Sequence, residues 1–214
     1  MWDWLKTSKT THGKPETKAA PDKSTKPVPT ETPEFKIIII TGTSGSGRKA
    51  TAKKLSTDLG IPYVLSYTTR AKRPNEQDGE HYHFVSTDEF QAMAGREEFY
   101  ETVTLERGRY GVSKNELNQA LEKRKAAIIV LNWDGVQTFR REFGQGAIRI
   151  FLYVTKDDIR LRQEREAAPP EVLEEYLRNY PDQVMHKKES DYLLQNIDPS
   201  VTVDKIKAFL HDKL

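Results

Sequence analysis

The residues best suited to chemistry lie in the run Gly42-Thr43-Ser44-Gly45-Ser46-Gly47-Arg48-Lys49-Ala50-Thr51. Glycines spaced this way let successive backbone N–H groups converge on phosphate oxygens, with the positive end of a helix behind them. Such loops usually close on a lysine that reaches the terminal phosphates and a Ser or Thr that ligates Mg²⁺. Here Arg48 stands at the lysine position and Lys49 at the hydroxyl position. Arg48 can neutralise a phosphate, but its flat fork is bulkier than an ammonium and aimed differently. Lys49 cannot ligate a metal while protonated. A register shifted by one residue makes Lys49 the phosphate cation and puts Thr51 near the metal, at the cost of distorted spacing. A tight strand-to-helix turn that binds nothing is the remaining reading.

A second constellation follows in Ser66-Tyr67-Thr68-Thr69-Arg70-Ala71-Lys72-Arg73-Pro74. Two arginines three residues apart, beside hydroxyls, suit bidentate charge-assisted bonds to phosphate. An ordinary surface turn rarely joins these to a downstream Asp78-Gly79-Glu80-His81-Tyr82-His83-Phe84-Val85-Ser86. His81 and His83 share one strand face, but no carboxylate or third histidine is spaced to complete a metal site with them. No metal is expected there.

The elements that must position these groups are legible. Phe35-Lys36-Ile37-Ile38-Ile39-Ile40-Thr41 reads as a strand buried on both faces, as in a parallel sheet. A helix over about 48–59 follows the glycine turn, completing strand, loop and helix. The runs at 127–131 and 148–154 read as further parallel strands, with a helix over 134–143 between them. A short strand at Tyr192-Leu193-Leu194 and an amphipathic helix carrying Val203, Ile206, Phe209 and Leu210 complete the core. Between about 66 and 112 the pattern changes to an inserted α+β segment, with short strands at 81–85 and 99–103 and a small helix near 88–94. Ser113-Lys114-Asn115-Glu116 spells a capping box, which gives Ser113 a structural task. Residues 156–190 form a charged helical stretch interrupted by Pro169-Pro170, a stop and restart that suits a mobile lid.

The chain of 214 residues supports one sizeable core. Its hydrophobic fraction of 36% is low, as expected when an unfolded stretch dilutes a normal domain. That stretch is 1–34, rich in Lys, Thr and Pro. Its start, Met1-Trp2-Asp3-Trp4-Leu5-Lys6, is either a docking segment for a protein partner or membrane interface, or an incidental sticky end. The net charge of +2 demands no nucleic acid, and no apolar run reaches transmembrane length. The absence of cysteine excludes disulfides and thiolate chemistry. A soluble, cytoplasmic protein is the expectation.

From about residue 35 to 214 the chain resembles the guanylate kinase family, most specifically from Thr68 through Val85. The resemblance implies an α/β fold: a P-loop NTPase-like three-layer core with a parallel sheet, an inserted α+β GMP-binding subdomain (66–112) and a helical lid (156–190). It implies that Ser66, Arg70, Arg73, Tyr82 and Tyr110 hold the GMP phosphate. Glu101 then reads the guanine edge, as an ionised acceptor facing a two-donor base. Gly42, Gly45, Ser46, Gly47, Arg48 and Lys49 form the loop for the donor nucleotide, and Arg162 matches a phosphate-clamping arginine, with Arg160 and Arg165 as alternates. Asn196 fits an adenine-side asparagine.

Departures from the family pattern erode the donor side and touch the base-reading position as well. Val130 and Asn132 replace two acidic residues, the first near the metal and the second within the nucleotide site. Val112 stands where a base-reading Ser or Thr is usual, Asp134 where glutamine is usual, and Tyr176 where a later arginine is expected. In-line phosphoryl transfer needs charge neutralisation around the γ-phosphate, each such contact contributing a few kcal/mol. The sequence thus points to a guanylate-kinase-like protein that binds GMP or a related phosphate ligand with kinase activity weak or absent. The alternative is an active guanylate kinase, converting ATP and GMP to ADP and GDP with Mg²⁺.

Overall fold

A computed structural model describes residues 34–74 and 76–214. The expected tail, and the docking role of Trp2 and Trp4, lie outside the described residues. The chain runs β1 (Lys36–Gly42), α1 (Arg48–Leu59), β2 (Ser66–Thr68), β3 (His83–Phe84), α2 (Thr87–Gly95), β4 (Phe99–Leu105) and β5 (Gly108–Ser113). It continues through α3 (Lys114–Arg124), β6 (Ala126–Val130), α4 (Trp133–Phe143), β7 (Ala147–Tyr153), α5 (Lys156–Arg165), α6 (Pro170–Val184), β8 (Tyr192–Gln195) and α7 (Pro199–Leu210).

Four consecutive isoleucines are possible in β1 because both of its faces are covered. Side chains alternate across a strand, so Ile38 and Ile40 pack against Ala52 and Leu55 of α1 and against Val203, Ile206 and Leu210 of α7. Ile37 and Ile39 face the other way, onto Leu117 and Ala120 of α3 and Val136 and Phe139 of α4. All four are fully buried, each contributing about 1.5–3 kcal/mol. The sheet is parallel in the order β6-β1-β7-β8, with Ile38 opposite Ile128 on one side and Ile148 on the other. This is the expected α/β three-layer core. Residues 62–64 extend it past β6, where Val64 N–H donates to the Ile128 carbonyl at 2.9 Å.

The segment between α1 and α3 builds a second sheet in the order β3-β2-β5-β4. Its small core holds Phe90, Met93 and Phe99, the two phenylalanine rings stacked at 4.7 Å. The expected strand over 81–85 shrinks to His83–Phe84 because a turn consumes its start. Gly79 adopts a φ of 72°, its N–H donates to the Tyr82 carbonyl, and the Asp78 carboxylate accepts from Phe84 N–H. In β4 a register shift between Phe99 and Glu101 places two residues against one of β5. Such a bulge breaks the two-residue alternation. Glu101 therefore does not follow Phe99 into the small core.

Two caps depart from simple expectation. Ser113 Oγ accepts from Glu116 N–H, but the Glu116 side chain does not fold back; it accepts from the Tyr67 hydroxyl at 3.0 Å and pairs with His83. A full capping box opens α5 instead, between Thr155 and Asp158. The charged helical stretch breaks at the proline pair as expected: α5 ends at Arg165, Ala167 takes a φ of 47°, and Pro170 starts α6.

Candidate functional site

The glycine loop has the backbone its spelling demands. Gly42 sits at φ 135°, and a Cβ there would lie 1.8 Å from the Leu152 carbonyl oxygen, so the loop can leave β1 only while touching β7 backbone. Gly47, at φ 80°, caps α1; a Cβ there would approach Asn196 Nδ2 to 2.9 Å. That buried amide donates to the Ser46 carbonyl at 2.7 Å. Arg162, from α5, donates to the carbonyls of Gly45 and Asn196. Around the loop the buried hydroxyls of Thr43, Ser46 and Thr51 and the Asn196 Oδ1 have no partner among the described residues.

A cavity of about 870 Å³ lies between this loop, the second sheet and α5–α6. Its loop wall carries Gly45, Gly47, Arg48, Lys49 and Arg162. Facing them are Ser66, Arg73, Tyr82, Glu101 and Tyr110 from the second sheet, with Val130 and Asn132 at the end of β6. The Tyr82 and Tyr110 rings are 5.7 Å apart. The two groups of residues singled out in the sequence thus meet across one space.

Arg70 is placed differently from its neighbours. It lies behind the cavity wall, 7% exposed, with its guanidinium bound to both oxygens of Glu76 at 2.8 Å and to the Ala71 carbonyl. Glu76 also accepts from Arg73 N–H at 3.0 Å. Burial works against charging this carboxyl, but the Arg73 N–H, the Arg70 guanidinium and the Lys49 ammonium outweigh it and hold it below the usual carboxylate range. Glu76 was not singled out in the sequence. Its signal was a lone carboxylate three residues after Arg73, on a loop that folds two arginines together. Arg73 reaches the Tyr176 hydroxyl of α6 at 3.4 Å, while its buried Nε has no partner among the described residues.

Lys49 does not point away from the cavity as a spare surface lysine would. Its ammonium lies 3.4 Å from the Tyr82 ring centroid and 3.7 Å from Glu76. Burial lowers its pKa to about 7; Glu76 opposes the shift, and Arg70, Arg48 and Arg73 add to it. Burial also lowers the Arg48 pKa, opposed by the hydroxyls of Tyr82, Tyr176 and Tyr63. Burial pushes the Tyr82 phenol up to about 12, so it stays a hydrogen-bond donor.

Glu101 sits over the start of α4. Gly135 leaves room for it, since a Cβ there would meet the Glu101 carboxyl carbon at 3.3 Å. Asn132 caps that helix, its Oδ1 accepting from Gly135 N–H at 3.1 Å. Burial, then the charge of Asp134, raises the Glu101 pKa to about 7. Val112 is fully buried in the core between β1 and α3–α4, so its side chain does not form the cavity wall.

Other residues weighed in the sequence lie apart. Gly42 and Ser46 shape the loop from behind rather than line the cavity. Arg160 pairs with Asp157, and Arg165 is exposed, so only Arg162 of the three helix arginines lines the cavity. His81 Nδ1 accepts from Gln77 N–H, whereas His83 pairs with Glu116. Thr51 is buried on the inward face of α1, which leaves the shifted loop register without a cavity-facing hydroxyl. The residues present do not fit the Mg²⁺ that the resemblance implies. The two relevant positions hold the Lys49 ammonium and the Val130 side chain, neither of which offers a lone pair.

Comparison with known proteins agrees with this architecture. The family model described as guanylate kinase matches residues 34–213. A guanylate kinase from Thiobacillus denitrificans is 32% identical over 164 residues, covering 76% of this chain and 78% of that protein. One from Francisella tularensis subsp. holarctica is 31% identical over 184 residues, covering 83% of this chain and 97% of that protein. The crystal structure of guanylate kinase from Anaplasma phagocytophilum superposes with a TM-score of 0.68 at 25% identity, covering 84% of this chain and 86% of that one.

Proposed function

Because this chain belongs to the guanylate kinase family, we propose that it binds GMP, or a closely related phosphate ligand, in the cavity between the glycine loop and the second sheet, and transfers a phosphoryl group slowly or not at all. One observation carries the reading. Arg73, Tyr82, Tyr110 and Ser66 face a common space with the Glu101 carboxylate, whereas the donor wall presents Arg48, Lys49 and Val130. Phosphate is held by Arg73, with Arg70 set by Glu76 behind it, and by the two tyrosine hydroxyls. Glu101 accepts from the N–H donors of the base, and Asn132 adds an amide at the same end. Residues 66–112 serve as the acceptor subdomain, and α5–α6 serve as the lid. Arg162 is the lid's phosphate clamp, drawn from the carbonyls of Gly45 and Asn196 when a donor nucleotide enters.

A second reading is supported by the cations that face the acceptor wall across the cavity, Arg48 and Arg162. On it the chain is an active guanylate kinase, ATP and GMP giving ADP and GDP, with Arg48 in the role of the loop lysine. Coupled measurement of ADP release with Mg²⁺ separates the two. Turnover of about 1 s⁻¹ or faster, within the ordinary enzyme range, establishes the second. Calorimetry with GMP alone tests the first: binding is expected, and its absence overturns the assignment.

A further inference from the structure

We propose that Lys49 is a phosphate-binding residue of the acceptor site, supplying there one of the positive charges that hold a phosphate monoester. The inference rests on the acceptor-site reading above and assigns that site a further residue. Lys49 leaves the first turn of α1, yet its ammonium reaches the opposite wall, 3.4 Å from the Tyr82 ring centroid and 3.7 Å from Glu76. Lys53, one turn farther along the same helix and also on the cavity wall, is paired with Glu80, and Lys54 is paired with Asp58. The side chain thus bridges the loop and the acceptor wall.

The local charge balance calls for an anion. Glu76 is committed to both nitrogen donors of the loop below it, the Arg70 guanidinium and Arg73 N–H. Among the described residues, that leaves Lys49 with the Tyr82 ring and a long contact to Glu76 but no close hydrogen-bonding anion, the buried Arg73 Nε without a partner, and Arg48 facing the same cavity with no ion pair. Cations gathered around one partly enclosed cavity repel one another, and a dianion among them converts that repulsion to attraction. A phosphate monoester has the charge and the acceptor oxygens to do so.

The test is calorimetric titration of the full chain with GMP for the wild type, Lys49→Met and Lys49→Arg. Expected are a loss of about tenfold or more for Lys49→Met and recovery to within about threefold for Lys49→Arg, as for one charge-assisted hydrogen bond. Lys49→Met binding as tightly as the wild type overturns the inference. If GMP still binds in that case, the acceptor site stands and only the role of Lys49 falls. No GMP binding by the wild type overturns both.

Discussion

The Lys49 ammonium lies 3.4 Å from the centroid of the Tyr82 ring, so the helix behind the glycine loop touches the cavity wall that carries Ser66, Arg73 and Tyr110. A cation over a ring face is attracted by its quadrupole, more strongly when water is excluded. The contact ties two segments far apart in sequence and sets the charge of the space between them.

That charge makes ligand binding pH-dependent with two limbs. Lys49 and Glu101 are each brought to a pKa of about 7, mainly by burial. A phosphate needs the protonated amine, and a base edge with N–H donors needs the ionised carboxylate. GMP affinity therefore falls as Glu101 protonates below about 7 and as Lys49 deprotonates above it, with the second ionisation of phosphate near 6 adding to the acid limb. Calorimetry between roughly pH 5 and pH 9 should give a maximum near neutrality. Ribose 5-phosphate, which lacks the base, should keep the alkaline limb and lose the Glu101 part of the acid one. In the empty protein, unfolded Lys49 stays protonated up to its ordinary range while the folded group releases its proton near 7, so its contribution to stability rises with pH across that window.

Arg70 and Glu76 form a pair with side chains 7% and 10% exposed. Removing one partner strands the other. Arg70→Ala should cost roughly 3 kcal/mol and lower Tm by roughly 6–12 °C, measured by calorimetry. Adding Glu76→Gln should restore much of that stability without restoring GMP binding, which separates loss of the fold from loss of the site.

Gly135→Ala should act on the base rather than the phosphate. The new methyl group would lie 3.2 Å from Leu131 and 3.3 Å from the Glu101 carboxyl carbon, which must give way. The expected outcome is a roughly tenfold loss of GMP affinity, with ribose 5-phosphate binding unchanged and stability altered by no more than about 1 kcal/mol.

The double change Arg48→Lys, Lys49→Ser restores the usual spelling of the loop. It should tighten ATP binding in Mg²⁺, read by calorimetry or by displacement of a fluorescent nucleotide. Indifference of ATP affinity to the change would mean that the loop does not hold ATP.

Several features needed three dimensions. The spacing of Arg70 and Arg73 suggests two equivalent phosphate ligands, but folding of the loop turns Arg70 inward onto Glu76 and leaves Arg73 on the cavity wall. Tyr176 reads in the sequence as a lost arginine; in space its hydroxyl accepts from Arg73 across the cavity mouth. The direction of Lys49 was equally hidden, because a helix position defines an angle about its axis but not the far end of a four-carbon chain.

The sequence by itself determined the α/β core, since the short β-branched run Ile37, Ile38, Ile39 and Ile40, closed at once by glycines at 42, 45 and 47, favours a strand covered on both faces and the loop that follows. Local pattern suffices there because strand alternation and positive φ are local constraints. Only the tertiary structure decided which charges face one another: Lys49 with Tyr82, Arg70 with Glu76, and Glu101 against Gly135 beyond a bulge in β4. Electrostatic partners depend on distance and burial between segments remote in the chain, and neither quantity is written in residue order.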